Sequence, residues 1–184
     1  MCACVCVIGQ RVWDCWDNLD GSVERGYAGK SVFDWSSLPT LSPRYRDYAR
    51  LLASVGMNAI VWDNVNACEA GNQDILQHAY LLKLAPLAEL FASYGIVTLI
   101  TPCFTSPETV GSLRTSDPLN PGVIAWWKAK VAEIERLIPS FRGFLSKADS
   151  EGQPGPMKCD CVLLPRPLLP PSSRMDHANS RWCR

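Results

Sequence analysis

The hydrophobic pattern switches repeatedly between two periods. From Ser42 to Val55, apolar side chains at Tyr45, Tyr48, Leu51, Leu52 and Val55 recur at helical spacing. A capping Ser42 and a first-turn Pro43 precede them and Gly56 closes the run, which predicts an amphipathic helix. Asn58–Asp63, with the apolar Ala59–Trp62 at its centre, is a strand of the kind buried on both faces, and Asn64 to Cys68 is a polar loop at its carboxyl end. A second helix is predicted from a capping Asp74 to about Tyr94, with Leu81, Leu84, Leu87, Ala88 and Phe91 on one stripe and Gly95 as its stop. Ile96–Ile100 is another apolar strand. The Pro-, Ser- and Thr-rich segment 101–117 reads as a loop, and Pro118–Pro121 leads into a third helix to about Ile138, with Ile124, Trp127, Val131, Ile134 and Ile138 as its stripe. Phe141–Lys147 is a further strand, and Val12 onward is a strand followed by a long loop punctuated by Gly21, Gly26 and Gly29.

Strand, helix, strand, helix, strand, helix, strand is the order of a parallel α/β sheet covered by helices. An open doubly wound sheet and a (β/α)8 barrel both satisfy it. No Gly-x-Gly-x-x-Gly follows the first strand, which weakens the dinucleotide-binding option. Polar and aromatic residues gather instead after the strands, at Trp16 to Asp20, Asp63 to Asn66 and Lys147 to Glu151, where a barrel keeps its active site. Gly29-Lys30-Ser31 looks like the end of a phosphate-binding loop, but the first glycine of that pattern falls on Glu24, so that reading fails.

Composition adds limits. With 184 residues, 47% of them hydrophobic and 20% charged, the chain is a soluble globular protein of about one domain. Eighteen basic and eighteen acidic residues cancel, which leaves no electrostatic case for a nucleic-acid or anionic-membrane partner. No apolar run reaches the roughly 18 residues that span a bilayer. The apolar start, Met1 to Gln10, lacks a basic segment and is short for a signal peptide, so residues 1–11 are expected to be an appended leader. Residues 157–184 contain Pro165, Pro167, Pro170 and Pro171 without periodicity and are expected to be an irregular or disordered tail. The nine cysteines, odd in number and clustered at the termini, do not look like a disulfide framework. Cys2-x-Cys4-x-Cys6 lacks the usual zinc-ligand spacing and a nearby His.

The densest candidate chemistry is Gly143–Pro156. If the last strand continues to Glu151, its period of two puts Lys147, Asp149 and Glu151 on one face, and Gly152-Gln-Pro-Gly-Pro156 then ends it. Charges so close to a buried strand are costly unless paired or used in a reaction. On spacing alone, a solvated strand end, a structural Lys–carboxylate pair and a reactive cluster all remain open.

Three collinear segments carry a resemblance: Trp16–Ser31, Asp47–Asn58 with Asn64-Val-Asn66, and Lys147–Pro156. Together with Asp117–Pro121 and Trp126-Trp-Lys128 they resemble the catalytic barrel of the α-glucuronidases of glycoside hydrolase family 67 over residues 12–156. The resemblance implies the first half of a (β/α)8 TIM barrel, about four parallel strands with three crossover helices. It implies removal of (4-O-methyl)glucuronic acid from the α-1,2 position of xylo-oligosaccharides, with inversion and with no cofactor or metal. Glu151 is then the general acid and Lys147 binds the sugar. Trp16 packs on the ring, Asn64 and Asn66 are candidate substrate contacts, and Asp149 orients Lys147. A glutamic acid of raised pKa can protonate a leaving glycosidic oxygen, a lysine ammonium pairs with a sugar carboxylate, and an indole offers a flat apolar face.

The general base of an inverting glycosidase lies about 6.5–9.5 Å from the acid. In the family it comes from later strands, so these 184 residues are expected to be inactive by themselves. A non-catalytic carbohydrate-binding fragment and a truncated gene product without function are the alternatives. The open edges of a half barrel favour self-association. The resemblance implies an extracellular protein, although the chain shows no signal peptide and no Asn-x-Ser/Thr sequon.

Overall fold

A computed structural model describes residues 9–62 and 74–146. The elements in chain order are β1 (Val12–Asp14), α1 (Pro43–Ser54), β2 (Ala59–Trp62), α2 (His78–Ala92), β3 (Val97–Ile100), a short α3 (Ser106–Thr109), α4 (Pro121–Leu137) and β4 (Phe141–Phe144). The four strands form one sheet in the order β1-β2-β3-β4, each parallel to its neighbour. This is the α/β arrangement expected for half of a (β/α)8 barrel. Asp63, the loop 64–68, Lys147, Asp149, Glu151 and the tail 157–184 lie outside the described residues, as do the first eight residues of the expected leader. Gly9 and Arg11 are hydrogen-bonded to Asn58 at the start of β2, through Asn58 Nδ2 to the Gly9 carbonyl (3.0 Å) and Arg11 N–H to Asn58 Oδ1 (2.8 Å).

The register divides the strand residues into two faces. Trp13, Ile60, Trp62, Thr98, Ile100, Phe141 and Phe144 share one, and Val12, Asp14, Ala59, Val61, Val97, Leu99 and Gly143 the other. The first face meets the helices. Trp62 packs edge-on against Phe91 of α2 (5.3 Å between centroids), and Trp13 packs against Tyr48 of α1 (6.4 Å). Into the same layer the β1–α1 loop inserts Phe33, Trp35 and Leu38. β2 is buried throughout, whereas β1, at the sheet edge, is exposed along its length.

Local signals explain most boundaries. α1 begins at Ser42, whose side chain accepts from the Arg44 N–H, and it ends before Gly56, where φ of +81° suits glycine. All five residues of the expected α2 stripe are buried. The α1 stripe is narrower than its periodicity predicts. Tyr45, Ala49 and Leu52 are buried, but Leu51 and Val55 are exposed because the helix lies over the sheet edge with no neighbour on that flank among the described residues. On α4, Val123 and Ile134 are buried, and of the expected stripe Ile124, Trp127 and Val131 are only half-buried.

Three further expectations are corrected. α2 starts at His78, four residues after Asp74, because Asp74 closes a separate turn first: its carboxylate accepts from the Leu76 N–H and its carbonyl from the Gln77 N–H (3.0 Å). The β4 ladder ends at Phe144, short of Lys147, although the Leu145 N–H still donates to the Ile100 carbonyl (3.0 Å). The 101–117 segment contains α3, one turn that is too short to leave a periodic signature.

α4 is capped by Asn120, whose Oδ1 accepts from the Gly122 N–H at 2.8 Å. Asn120→Ala should therefore destabilise the chain by about 1 kcal/mol. An unchanged midpoint in thermal denaturation would show that the cap carries no weight.

Candidate functional site at the carboxyl ends of the strands

Parallel strands send their continuations to one end of the sheet, and the segment after β1 is the longest described there. Cys15 follows β1 and is buried among the helices, its N–H donating to the Val61 carbonyl (3.1 Å). Trp16 therefore turns to the opposite face, where its indole N–H donates to Asp14 Oδ2 at 3.2 Å. Its ring is 40% exposed, so it is not a core residue. Burial, with the neighbouring Asp17 charge, pushes the Cys15 thiol well up, and this cysteine is an inert packing group.

Residues 16–31 form a small lobe closed by their own polar groups. Asp17 bridges to Val23 and Ser22 to Lys30 through the backbone. The buried Asn18 donates from Nδ2 to Ser22 Oγ (2.8 Å) and to the Glu24 carbonyl (2.7 Å). The Asp17 carboxylate accepts from Ser31 Oγ, and Ser31 Oγ accepts from the Phe33 N–H at 2.8 Å, so the lobe is coupled to the core through Phe33. Ser22 donates twice to Asp20 Oδ1 (2.6 and 2.9 Å), and those bonds hold the Asp20 carboxyl below its usual value. Ser31, the residue that made Gly29-Lys30-Ser31 look like a phosphate loop, is thus committed to the lobe's internal bonding.

Behind β2 and β3 a second polar group joins three elements. Asp74, 5% exposed, accepts from the Leu76 N–H at Oδ1 (2.8 Å) and from Ser106 Oγ at Oδ2 (2.5 Å). Burial pushes its carboxyl up, opposed by those two hydrogen bonds and by the Lys130 charge. Lys130 donates to the Leu76 carbonyl (3.0 Å) and to Glu133 Oε2 (2.6 Å), and His78 Nδ1 meets Glu133 Oε1 at 2.6 Å. Burial alone would raise the Glu133 carboxyl, but Lys130 and His78 hold it low. The segment leading into α2, the start of α3 and the middle of α4 are fixed to one another by this group. Thr101, immediately after β3, is fully buried and its hydroxyl has no hydrogen-bond partner among the described residues.

Of the residues singled out from sequence, Trp16 alone is described. Asn64 and Asn66 continue the chain from β2, and Lys147, Asp149 and Glu151 continue it from β4, all outside the described residues. Sequence reasoning missed the Asp74–Ser106 bond, because 32 residues separate its partners. It read the cysteines as no disulfide framework and so missed that Cys103 is disulfide-bonded. Among the described residues no group of three His, Cys, Asp or Glu side chains could hold a metal ion, and no helix is long and apolar enough to cross a membrane.

Comparison with known proteins places this arrangement. The family model of the glycosyl hydrolase family 67 middle domain matches residues 5–162. Alpha-glucuronidase A of Aspergillus tubingensis is 47% identical over 143 residues, which cover 77% of this chain and 16% of that protein. A probable alpha-glucuronidase A of Aspergillus terreus is 49% identical over 143 residues with the same coverage. A third, from Neosartorya fischeri, is 47% identical over 142 residues. The chain thus spans about a sixth of the length of these curated relatives.

Proposed function

The chain belongs to glycosyl hydrolase family 67, and we propose that it carries the acid and glucuronate-binding side of an α-glucuronidase active site. The observation that supports this most is topological. Trp16, the Asn64–Asn66 segment and the Lys147–Glu151 segment follow β1, β2 and β4 of one parallel sheet, and the carboxyl ends of such strands are where barrel enzymes assemble their chemistry.

In this reading the substrate is (4-O-methyl)glucuronic acid linked α-1,2 to a xylo-oligosaccharide. Lys147 pairs with the uronate carboxylate, Asp149 orients Lys147, and Asn64 and Asn66 bond the ring hydroxyls. The exposed Trp16 indole packs on the apolar face of the sugar, with its N–H held by Asp14. Glu151, protonated, gives its proton to the glycosidic oxygen as the bond to the anomeric carbon breaks. Inversion requires water activated from the opposite face by a second carboxylate about 6.5–9.5 Å away. Asp149, only two residues from Glu151 in the chain, is not proposed for that role. A preparation of these 184 residues alone is therefore proposed to bind and not to turn over. The disulfide at Cys103 supports an oxidising, extracellular setting.

Titration with D-glucuronic acid tests the reading. Saturable quenching of tryptophan fluorescence is expected, weakened at least tenfold by Lys147→Ala and unaffected by Glu151→Gln. No glucuronic acid should be released from a 4-O-methylglucuronoxylo-oligosaccharide. Absence of saturable binding in the parent would refute the binding role, and release that Glu151→Gln abolishes would refute the inactivity while supporting the acid.

A further inference from the structure

Two cysteines fall among the described residues, and they differ: Cys15 is free and buried, whereas Cys103 is disulfide-bonded. The partner of Cys103 therefore lies outside the described residues. Three cysteines precede β1, Cys68 lies between β2 and α2, and three follow β4.

The chain around Cys103 selects among them. It leaves β2 at Trp62, whose carbonyl accepts from the Thr101 N–H (3.1 Å), two residues before Cys103. It returns at Asp74, whose Oδ2 accepts from Ser106 Oγ (2.5 Å), and the Ser106 N–H donates to the Cys103 carbonyl itself (3.1 Å). The segment that carries Cys68 is thus pinned beside Cys103 at both ends. Cys68 stands at its midpoint, six residues from Trp62 and six from Asp74. Six extended residues span at most about 20–22 Å, so neither anchor lets Cys68 stray far. Bridged cysteines hold their Cα atoms about 4.4–6.8 Å apart, a closure that a short segment anchored on both sides makes at small entropic cost.

The other cysteines are worse placed. The Gly9 carbonyl accepts from Asn58 Nδ2 (3.0 Å) at the amino end of β2. Cys6, three residues earlier, has about 10 Å of chain with which to pass a strand of four residues, about 13 Å long. Cys2 and Cys4 have longer tethers and start from the same wrong end. Cys159, the nearest of those after β4, lies fourteen residues past Leu145, whose N–H donates to the Ile100 carbonyl (3.0 Å), and no second anchor among the described residues confines it.

We infer that Cys103 is bridged to Cys68, which staples the segment after β2 to the start of α3 at the carboxyl end of the sheet. The same two segments are then tied twice, covalently by the bridge and through the Asp74–Ser106 hydrogen bond. A disulfide sulfur carries no proton, so at the 3.0 Å contact between Cys103 Sγ and Thr105 Oγ1 the threonine donates. The bridge forms by exchange: a small-molecule or protein disulfide takes the two electrons and two protons of the paired thiols and leaves as two thiols. The pairing is independent of the glucuronate reading.

Tryptic digestion of the unreduced monomer, with free thiols alkylated beforehand, tests it. Cleavage after Arg50, Lys83 and Arg114 leaves Cys68 as the sole cysteine of residues 51–83 and Cys103 as the sole cysteine of residues 84–114. The expected product is these two peptides joined, two hydrogens lighter than their sum and separated by reduction. Peptide 84–114 alkylated at Cys103, or joined to a peptide that carries any other cysteine, would overturn the inference. Thermal denaturation gives a second measure. Cys68→Ser and Cys103→Ser should each lower the midpoint by about 5–15 °C, and the double variant by no more than either alone, because all three lose the same bond. A Cys68→Ser midpoint equal to the parent's, or losses that add in the double variant, would refute the pairing. Should a variant fail to fold, the peptide map of the parent decides by itself.

Discussion

Phe33→Ala should lower the unfolding free energy by about 3–5 kcal/mol, the range for deleting a buried phenyl ring. The ring is 2% exposed and lies against four others, with centroid separations of 4.9 Å to Trp62, 5.4 Å to Tyr45, 5.7 Å to Tyr48 and 6.2 Å to Phe91. It joins the β1–α1 loop to α1, β2 and α2 in a single cluster. Alanine would leave a cavity that four rings on three different elements cannot close together. Total stabilities of small domains are about 5–15 kcal/mol, so much of the folded population should be lost near body temperature. The Ser31 hydroxyl that accepts from the Phe33 N–H also holds Asp17, so loosening at Phe33 reaches the lobe carrying Trp16. Urea denaturation followed by circular dichroism measures the loss, with the exposed Leu51→Ala as a control expected within about 0.5 kcal/mol of the parent. A Phe33→Ala loss no larger than that of the control would remove Phe33 from the centre of the fold.

Asp74→Ala should cost about 2–6 kcal/mol, because it strands the Leu76 N–H and the Ser106 hydroxyl, and each buried group left unpaired costs about 1–3 kcal/mol. Asp74→Asn keeps an acceptor and should cost less, and it also separates charge from hydrogen bonding. Burial raises the folded-state carboxyl above its ordinary value of 3.8, so the folded chain takes up this proton before the unfolded chain does. The stability that Asp74 contributes is thus fully present below 3.8 and is lost as pH rises through the folded value. Measured as parent minus Asp74→Asn, which cancels the other carboxylates, the stability difference should grow in the parent's favour as pH falls from neutral towards 4. A difference independent of pH would mean that Asp74 does not titrate with folding.

Much of the fold is legible in the chain because its signals are local. Ser42 and Pro43 start α1 and Gly56 stops it, Gly95 ends the segment after α2, and the uninterrupted apolar run of β2 announces burial on both faces. The misreadings occur where a local signal meets a distant partner. Asp74 stands where a helix cap fits, just ahead of an apolar stripe, but it caps only an isolated turn at Leu76, its other oxygen is bound by Ser106, and the helix begins at His78 instead. Leu51 and Val55 have helical spacing and stay exposed, because spacing records a face and not what lies opposite it.

The candidate site divides in the same way. Trp16 and the Lys147–Glu151 segment are proposed from residue order and from the family they resemble, since a strand end followed by polar residues is written in consecutive letters. Cys103 carries no such mark: nothing in the letters around it says whether its sulfur is free or bridged. The sequence by itself determined the alternation of strands and helices and the family, and it carries the proposal of chemistry at the strand ends, because each of these is set within a few residues or by collinear motifs. The tertiary structure alone decided that Phe33 gathers four rings, that Asp74 is bound by Ser106, and that Cys103 is bridged, because each depends on groups that only folding brings within a few ångströms of one another.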